Sequence, residues 1–283
     1  TAAAAGGALA LASLSSEQPA AAEAAVAAQV PAAAAPQSRA RKLRTLLQRP
    51  GLLIAPEAYT VIAGKLAEVH GFDAVYIGGN MMSMTYLGVP DWGVITTAEM
   101  ADIGGRIARE ISIPAIVDAD QAGETSLNAF RTVQLYQQAG IAGLHIEDSV
   151  NPKKMETWIG PGGPSTTPLQ PIPQMVERLQ AAVSARTDPD FVIIGRTVAE
   201  TPNAVIERGN AFAKAGADVV MNSLTNFSAD EINRIASAIT VPLLFELRRV
   251  GKPLRLRHSA AADREPGPGG EVELVPGLVD RAN

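Results

Sequence analysis

The sequence predicts an α/β fold, a (β/α)8 TIM barrel whose eighth unit is atypical or incomplete. Seven short apolar runs alternate with segments of helical spacing from residue 51 onwards. The runs do not alternate apolar with polar residues, so both faces of each strand are expected to be buried, as in a parallel sheet. Seven strand–helix units in line favour a barrel over an open sheet, and a chain of 283 residues is long enough for one.

The elements follow one another regularly along the chain. A basic amphipathic helix at Arg39–Gln48 comes first, and we expect it to pack on the bottom of the barrel rather than to bind nucleic acid, because the run is brief and the chain is acidic. The predicted strands are Leu52–Ala55, Ala74–Gly78, Ala115–Val117, Gly143–Ile146, Phe191–Gly195, Asp218–Met221 and Pro242–Phe245. The predicted helices between them are Ala58–Val69, Ala98–Glu110, Thr125–Ala139, Pro173–Ala185, Asn203–Ala215 and Ala229–Ala238.

Composition narrows the function classes. The net charge is -5 without a basic field, which argues against nucleic acid as a partner. Cysteine is absent, which excludes disulfides and thiolate nucleophiles. The apolar run at the start of the chain is too short to span a membrane.

The two ends of the chain differ from its middle. Residues 1–36 are rich in alanine, and we interpret them as a signal-like segment or as a disordered linker. A signal would place the protein in the periplasm or outside the cell, and without one it would be cytoplasmic. Residues 37–252 are predicted to form the catalytic barrel. Residues 253–283 are predicted to be an atypical, disordered tail, and Ser259–Asn283 shows no amphipathic helical pattern.

Residues 114–155 carry the chain's main group of reactive side chains. Two predicted neighbouring strands end in Asp118-Ala119-Asp120 and in His145-Ile146-Glu147-Asp148. Residues two apart point to one face of a strand, so the aspartates of the first motif project together, as do the histidine and the glutamate of the second. Parallel α/β folds bind ligands at the carboxyl ends of their strands. Such oxygen ligands suit Mg²⁺, and no His/Cys cluster supports zinc.

Further motifs occur in order along roughly residues 41–252. They are Tyr76-Ile77-Gly78-Gly79, Gly88-Val89-Pro90-Asp91, Pro152-Lys153-Lys154, Gly195-Arg196-Thr197 and Ala215-Gly216-Ala217-Asp218. Together with the two acidic motifs, this ordered set resembles the isocitrate lyase / phosphoenolpyruvate mutase superfamily.

The resemblance implies a metal site and a pocket for a small carboxylic acid. Asp118 would bind Mg²⁺ directly, and Asp91, Asp120 and Glu147 would hold its water molecules. The substrate-binding residues would be Tyr76, Gly78, Gly79, Arg196 and Asn222, with the N–H groups of both glycines cradling a carboxylate. The catalytic residues would be Arg196, His145, Lys153 and Glu156.

The long loop Glu147–Ile172 is rich in proline and glycine and is predicted to close over the substrate. Family lyases carry in this loop the cysteine that protonates the product. Met155 stands at that position here and has no exchangeable proton, and Lys153, Lys154 or Glu156 could supply it instead.

The implied activity is that of an Mg²⁺-dependent lyase, which cleaves a C–C bond in a small 2-hydroxy or 2-oxo carboxylic acid through a metal-stabilised enolate. Two alternatives stay open. One is a phosphonopyruvate-type mutase or hydrolase acting on a C–P bond, and the other is a non-catalytic, metal-dependent carboxylate-binding protein. The family also implies a homo-oligomer, specifically a tetramer.

Overall fold

The structure is a computed structural model, which describes residues 38–150, 168–224, 226–247 and 271–275. Its strands are β1 (Leu53–Pro56), β2 (Val75–Ile77), β3 (Ala115–Asp118), β4 (Gly143–Glu147), β5 (Val192–Arg196), β6 (Val219–Met221), β7 (Leu243–Leu247) and β8 (Glu271–Val275). Its helices are α1 (Arg39–Leu47), α2 (Val61–Val69), α3 (Gly79–Met82), α4 (Thr97–Glu110), α5 (Ser126–Gln138), α6 (Ile172–Ser184), α7 (Pro202–Lys214) and α8 (Ala229–Ala238). A π-helical turn at Ser83–Leu87 continues α3.

The eight strands form one curled sheet in the order β1-β8-β7-β6-β5-β4-β3-β2. Strands β2 to β7 pair in parallel with one another. A bridge between Glu57 and Tyr76 joins the end of β1 to β2, and the N–H of Ala58 donates to the carbonyl of Tyr76 at 2.8 Å. The sheet therefore closes, and the predicted α/β barrel is confirmed.

The eighth strand departs from the repeat. Strand β8 runs antiparallel between β7 and β1, with Leu274 opposite both Leu244 and Leu53. Antiparallel neighbours need no crossover helix, which explains how the barrel closes with a tail that lacks a helical pattern. The prediction of an atypical eighth unit is confirmed. The prediction of a disordered tail is wrong for Glu271–Val275, and the remainder of 248–283 lies outside the described residues.

Side-chain caps set where most of the helices begin. Thr96 caps α4 and Thr125 caps α5, and each forms a capping box, in which the side chain of the third helical residue accepts a hydrogen bond from the N–H of the threonine. These boxes satisfy main-chain N–H groups that a helix start leaves without partners. Thr60 caps α2 in the simpler way, so this helix begins later than the predicted Ala58.

Two apolar cores hold the barrel together. One lies between the sheet and the helices, and the other fills the inside of the barrel. Helix α1 closes the bottom of the inner core with Leu43, Leu46 and Leu47, as predicted. Its Arg44 pairs with Asp218 at 3.0 Å, so its basic residues hold the barrel floor. None of the described helices is both long and apolar enough to cross a membrane, and the longest of them, α4, has 14 residues.

Candidate active site

Alternation along the strands decides which side chains enter the barrel at its carboxyl end. Ala55, Tyr76, Ile116, Ile194 and Leu244 all lie in the inner core. The residue two positions further along each strand also points into the barrel. Those residues are Glu57, Gly78, Asp118, Arg196 and Glu246.

Asp118 lies at the centre of this end of the barrel and is 3% exposed. Its Oδ2 accepts a hydrogen bond from the N–H of Gly79 at 2.9 Å, and its Oδ1 accepts one from the N–H of Asp120 at 2.8 Å. The Tyr136 hydroxyl donates to its carbonyl at 2.7 Å, which fixes the backbone as well. The carboxylate is therefore preorganised. The N–H of Gly79 is directed to Asp118, so the prediction that it cradles substrate is not supported.

Asp120 has a strained backbone. Its φ is 47°, in the left-handed region that non-glycine residues rarely adopt. The contact with Asp118 and a hydrogen bond of 2.8 Å from the Glu147 N–H to its carbonyl hold it there. A Cβ atom at Gly79 would lie 3.0 Å from Asp118 Oδ2 and 3.6 Å from Asp120 Oδ1, so the two carboxylates flank the same glycine. Strain of this kind is typical of functional sites.

Tyr76 and His145 form the floor of the pocket beside Asp118. The Tyr76 hydroxyl lies 2.6 Å from His145 Nε2, the two rings stack with centroids 5.7 Å apart, and Nε2 is 3.3 Å from Asp118 Oδ1. Burial raises the pKa of Tyr76 well above its ordinary value, and the nearby charge of Asp118 raises it further. The hydroxyl therefore keeps its proton at neutral pH and is able to donate a hydrogen bond.

Glu147 faces Arg196 across the pair of strands β4 and β5. Its Oε2 is 3.4 Å from Arg196 Nη1, while its Oε1 accepts hydrogen bonds from Gln121 Nε2 at 3.0 Å and from the Ser149 hydroxyl. Burial alone would lower the pKa of Arg196, but the charges of Glu147 and Glu246 outweigh it and raise that pKa well above its usual range. Arg196 is therefore always a cation, as a clamp for an anion requires.

Asn222 is not brought to the pocket. It follows Met221 of the inner core, so its side chain points towards the helices. Its Nδ2 donates to the carbonyls of Thr197 at 2.8 Å and Ala199 at 3.1 Å, and its Oδ1 accepts from the N–H of Leu224 at 3.0 Å. The amide thus ties the ends of β5 and β6 together, and the structure does not support its predicted contact with substrate.

Three further predicted residues are less closely defined. Asp91 lies half-buried in the loop before α4, and its part in a metal site stays a prediction. Lys153 and Glu156 lie in residues 151–167, outside the described residues, as does the middle of the predicted lid. The two ends of that segment are tied together, because Ser149 bridges Leu169 and the Val150 N–H donates to the Pro168 carbonyl at 2.9 Å.

Sequence reasoning missed a buried ion pair behind the site. Asp148 is fully buried and accepts from Arg208 Nε at 2.8 Å and from the Val198 N–H at 3.0 Å. Arg208 also donates to the Gln170 carbonyl. Burial raises the pKa of Asp148, and hydrogen bonds from Thr197 and Val198 and the charge of Arg208 oppose that rise. The partners are 60 residues apart and no motif links them, so the sequence offered no signal.

The donor set fits Mg²⁺ better than it fits a metal that requires a complete protein cage. In the part of the chain that the structure describes, no group of three or more His, Cys, Asp or Glu side chains is arranged as a ready ligand set. Mg²⁺ is bound through one or two carboxylates and keeps several waters. Asp118, with both oxygens oriented by main-chain N–H groups, suits the direct ligand. Asp120 and Glu147 suit contacts through water.

Gly79→Ala is expected to weaken Mg²⁺ binding roughly tenfold, since loss of an outer-shell contact to a ligand typically costs that much or more. The new methyl would lie 3.0 Å from Asp118 Oδ2 and 3.3 Å from its Cγ, and would push the carboxylate aside. Gly78→Ala is the matched control, because its methyl would meet Glu57 Oε1 at 2.6 Å instead. Calorimetric Mg²⁺ titrations check this, and equal affinity in both variants would contradict it.

Fold and site together define an α/β-barrel enzyme with an acidic site, suited to a metal ion, at the carboxyl ends of its strands. Residues 43–262 match the sequence family described as phosphoenolpyruvate phosphomutase. The chain therefore belongs to the isocitrate lyase / phosphoenolpyruvate mutase superfamily, and the resemblance seen in its motifs is confirmed.

Curated relatives of this chain are carbon–carbon lyases. The chain is 37% identical over 223 residues to 2,3-dimethylmalate lyase of Eubacterium barkeri. This match spans 78% of this chain and 75% of the relative. It is 35% identical over 223 residues to a probable 2-methylisocitrate lyase of Corynebacterium glutamicum. This match spans 78% of this chain and 70% of the relative.

Solved structures agree with the sequence relatives. Oxaloacetate acetylhydrolase in complex with 3,3-difluorooxalacetate matches with a TM-score of 0.65 at 29% identity, over 74% of this chain and 71% of that chain. Phosphonopyruvate hydrolase in complex with oxalate and Mg²⁺ matches with a TM-score of 0.64 at 29% identity, over 73% of this chain and 71% of that chain.

Proposed function

We propose that this protein is an Mg²⁺-dependent lyase, which cleaves a C–C bond in a small 2-hydroxy or 2-oxo carboxylic acid through an enolate. The observation that carries the proposal is the preorganised Asp118 carboxylate with Asp120 and Glu147 beside it. The family supports it, because relatives of this chain are lyases and one structural neighbour holds oxalate and Mg²⁺.

The metal and the carboxylates would divide the work. Bound Mg²⁺ would act as a Lewis acid on the negative charge that develops when the C–C bond breaks. Asp118 would hold the ion directly, and Asp120 and Glu147 would hold its waters. Because Asp118 is already fixed by two N–H groups, little reorganisation is needed when the ion binds.

Arg196 and the floor of the pocket would orient the substrate. Arg196 stays charged and lies 3.9 Å from Asp118 Oδ2, close enough to stabilise an anion beside the ion site. Tyr76 keeps its hydroxyl proton, and its contact with His145 holds the hydroxyl oxygen in place near Asp118. The inner core beneath them excludes water from below.

A substrate screen tests the proposal. Small 2-hydroxy and 2-oxo acids are incubated with the full-length protein, with Mg²⁺ or with a chelator, and the products are identified by NMR. We expect Mg²⁺-dependent cleavage of at least one acid into two carbonyl or carboxylate fragments. A protein that binds oxalate with Mg²⁺ but cleaves no acid would instead be a carboxylate-binding protein.

Phosphonopyruvate belongs in the same screen. The structural match to phosphonopyruvate hydrolase supports C–P bond hydrolysis as a second candidate function. That reaction consumes water and yields pyruvate and phosphate, so phosphate release separates it from C–C cleavage.

Self-assembly, including the tetramer, and export through residues 1–36 stay predictions from the sequence.

A further inference from the structure

Arg196 is surrounded by carboxylates of the protein itself. Its Nη1 is 3.4 Å from Glu147 Oε2, and its Nη2 is 3.6 Å from Glu246 Oε1. An arginine binds a substrate carboxylate most strongly with two parallel N–H donors. Here the two terminal nitrogens face different acids. A second substrate carboxylate could take up this fork only by displacing Glu246.

The wall of the pocket on that side is acidic as well. Glu57 points inward from the end of β1, and its Oε1 lies 2.6 Å from where a Cβ atom at Gly78 would be. The charges of Glu57 and Glu246 both raise the pKa of the buried Tyr76 hydroxyl, so both carboxylates lie near it. Five carboxylates and one guanidinium, that of Arg196, therefore lie at this end of the barrel. The carboxylates are those of Glu57, Asp118, Asp120, Glu147 and Glu246.

We propose that Glu246 restricts this pocket to acids with one carboxylate, whose far end is uncharged and donates a hydrogen bond. The inference rests on the proposed function, since the metal site would bind the 2-hydroxy or 2-oxo carboxylate end. A far carboxylate would meet Glu246 as a like charge, whereas a far amide or hydroxyl would find Glu246 as an acceptor. Such a substrate differs from the dimethylmalate named in a relative, which has two carboxylates.

Three probes separate these cases when binding is measured calorimetrically with saturating Mg²⁺. Oxalate reports the metal end alone. Malate has a carboxylate at its far end, and its 4-amide, malamate, has a neutral group of the same shape. We expect the parent protein to bind malamate at least as tightly as malate. In Glu246→Gln the ratio should shift towards malate by at least about tenfold, because the like charge is gone and Arg196 is released, while oxalate should still bind in the presence of Mg²⁺.

Two control variants make the test specific. Glu200→Gln removes the same charge at an exposed position beyond β5, and should leave all three affinities unchanged. Glu246→Asp keeps the charge, and should keep the parent's preference even if its stability falls. Thermal unfolding and oxalate binding show whether each variant is folded.

Each outcome has a definite meaning. A tenfold preference of the parent for malate over malamate would overturn the inference. So would an unchanged ratio in folded Glu246→Gln that still binds oxalate, and in both cases the proposed function would stand. If the parent bound no oxalate in the presence of Mg²⁺, the proposed function would fail and this inference with it.

Discussion

Asp118→Asn is expected to abolish Mg²⁺ binding, with a loss of affinity of roughly a hundredfold or more, since even outer-shell contacts cost ten- to hundredfold. The substitution keeps the shape of the side chain but removes its charge. An asparagine side chain has only one oxygen to accept a hydrogen bond. Its NH₂ group would therefore face the N–H of Gly79 or of Asp120, where two donors would oppose each other. Calorimetric Mg²⁺ titration with oxalate present measures the loss, and turnover in the substrate screen should vanish with it.

Asp120→Asn is the matched comparison for that result. The same charge is removed two residues away from the proposed direct ligand, so the affinity should fall less, because a water-mediated contact is being weakened. Circular dichroism should show that both variants keep the barrel, since the Tyr136 hydrogen bond goes to the backbone carbonyl of residue 118 and survives. Unchanged Mg²⁺ affinity in folded Asp118→Asn would show that the metal site is assigned to the wrong residue.

Periodicity in the sequence was enough to predict most of the fold and the centre of the site. Parallel strands with both faces buried leave unbroken apolar runs, so β1 to β7 could be located to within a few residues. The same alternation predicts that Asp118, His145 and Glu147 meet at one end, and the register pairs Asp118 with His145 and Glu147 with Arg196. Residues that follow the strand pattern were therefore predictable.

Residues that depend on local backbone geometry or on distant partners were not predictable in this way. Asp120 lies beside Asp118 as predicted, but the predicted reason was wrong, because strand alternation ends with β3 at Asp118 and a left-handed turn brings Asp120 there. The direction of β8 depends on the gap that β7 and β1 leave, which no local pattern encodes. Glu57 could have been predicted to point into the pocket but was missed. It lies two residues beyond Ala55, on the inward-facing side of β1.

Arg208→Met is expected to cost roughly 3–5 kcal/mol of folding stability near pH 7, the usual effect of removing one partner from a buried ion pair. Asp148 is fully buried, and Arg208 gives it a charge-assisted hydrogen bond of 2.8 Å. The methionine would fill much of the space but leave the carboxylate without its counter-charge. Loss of the donor to the Gln170 carbonyl would add to the effect. The free energy of unfolding in urea measures the loss, and Arg106→Met, which breaks an exposed pair with Asp102, should change stability little.

The pH dependence of that loss identifies Asp148 as its cause. The folded protein already holds the pKa of Asp148 above its ordinary value, chiefly through burial, and removing Arg208 should raise it further. A group whose pKa is higher in the folded state takes up a proton on folding, so its unfavourable ionisation is relieved as the pH falls below that pKa. The deficit of Arg208→Met relative to the parent should therefore shrink between pH 7 and about pH 5, above the ordinary pKa of an aspartate. Asp148→Asn and Asp148→Asn/Arg208→Met carry no titrating group at this position, so the difference in stability between these two variants should be independent of pH over that range. A deficit in the single variant that stays constant with pH would show that lost packing or the lost Gln170 contact, rather than the unpaired carboxylate, causes the destabilisation.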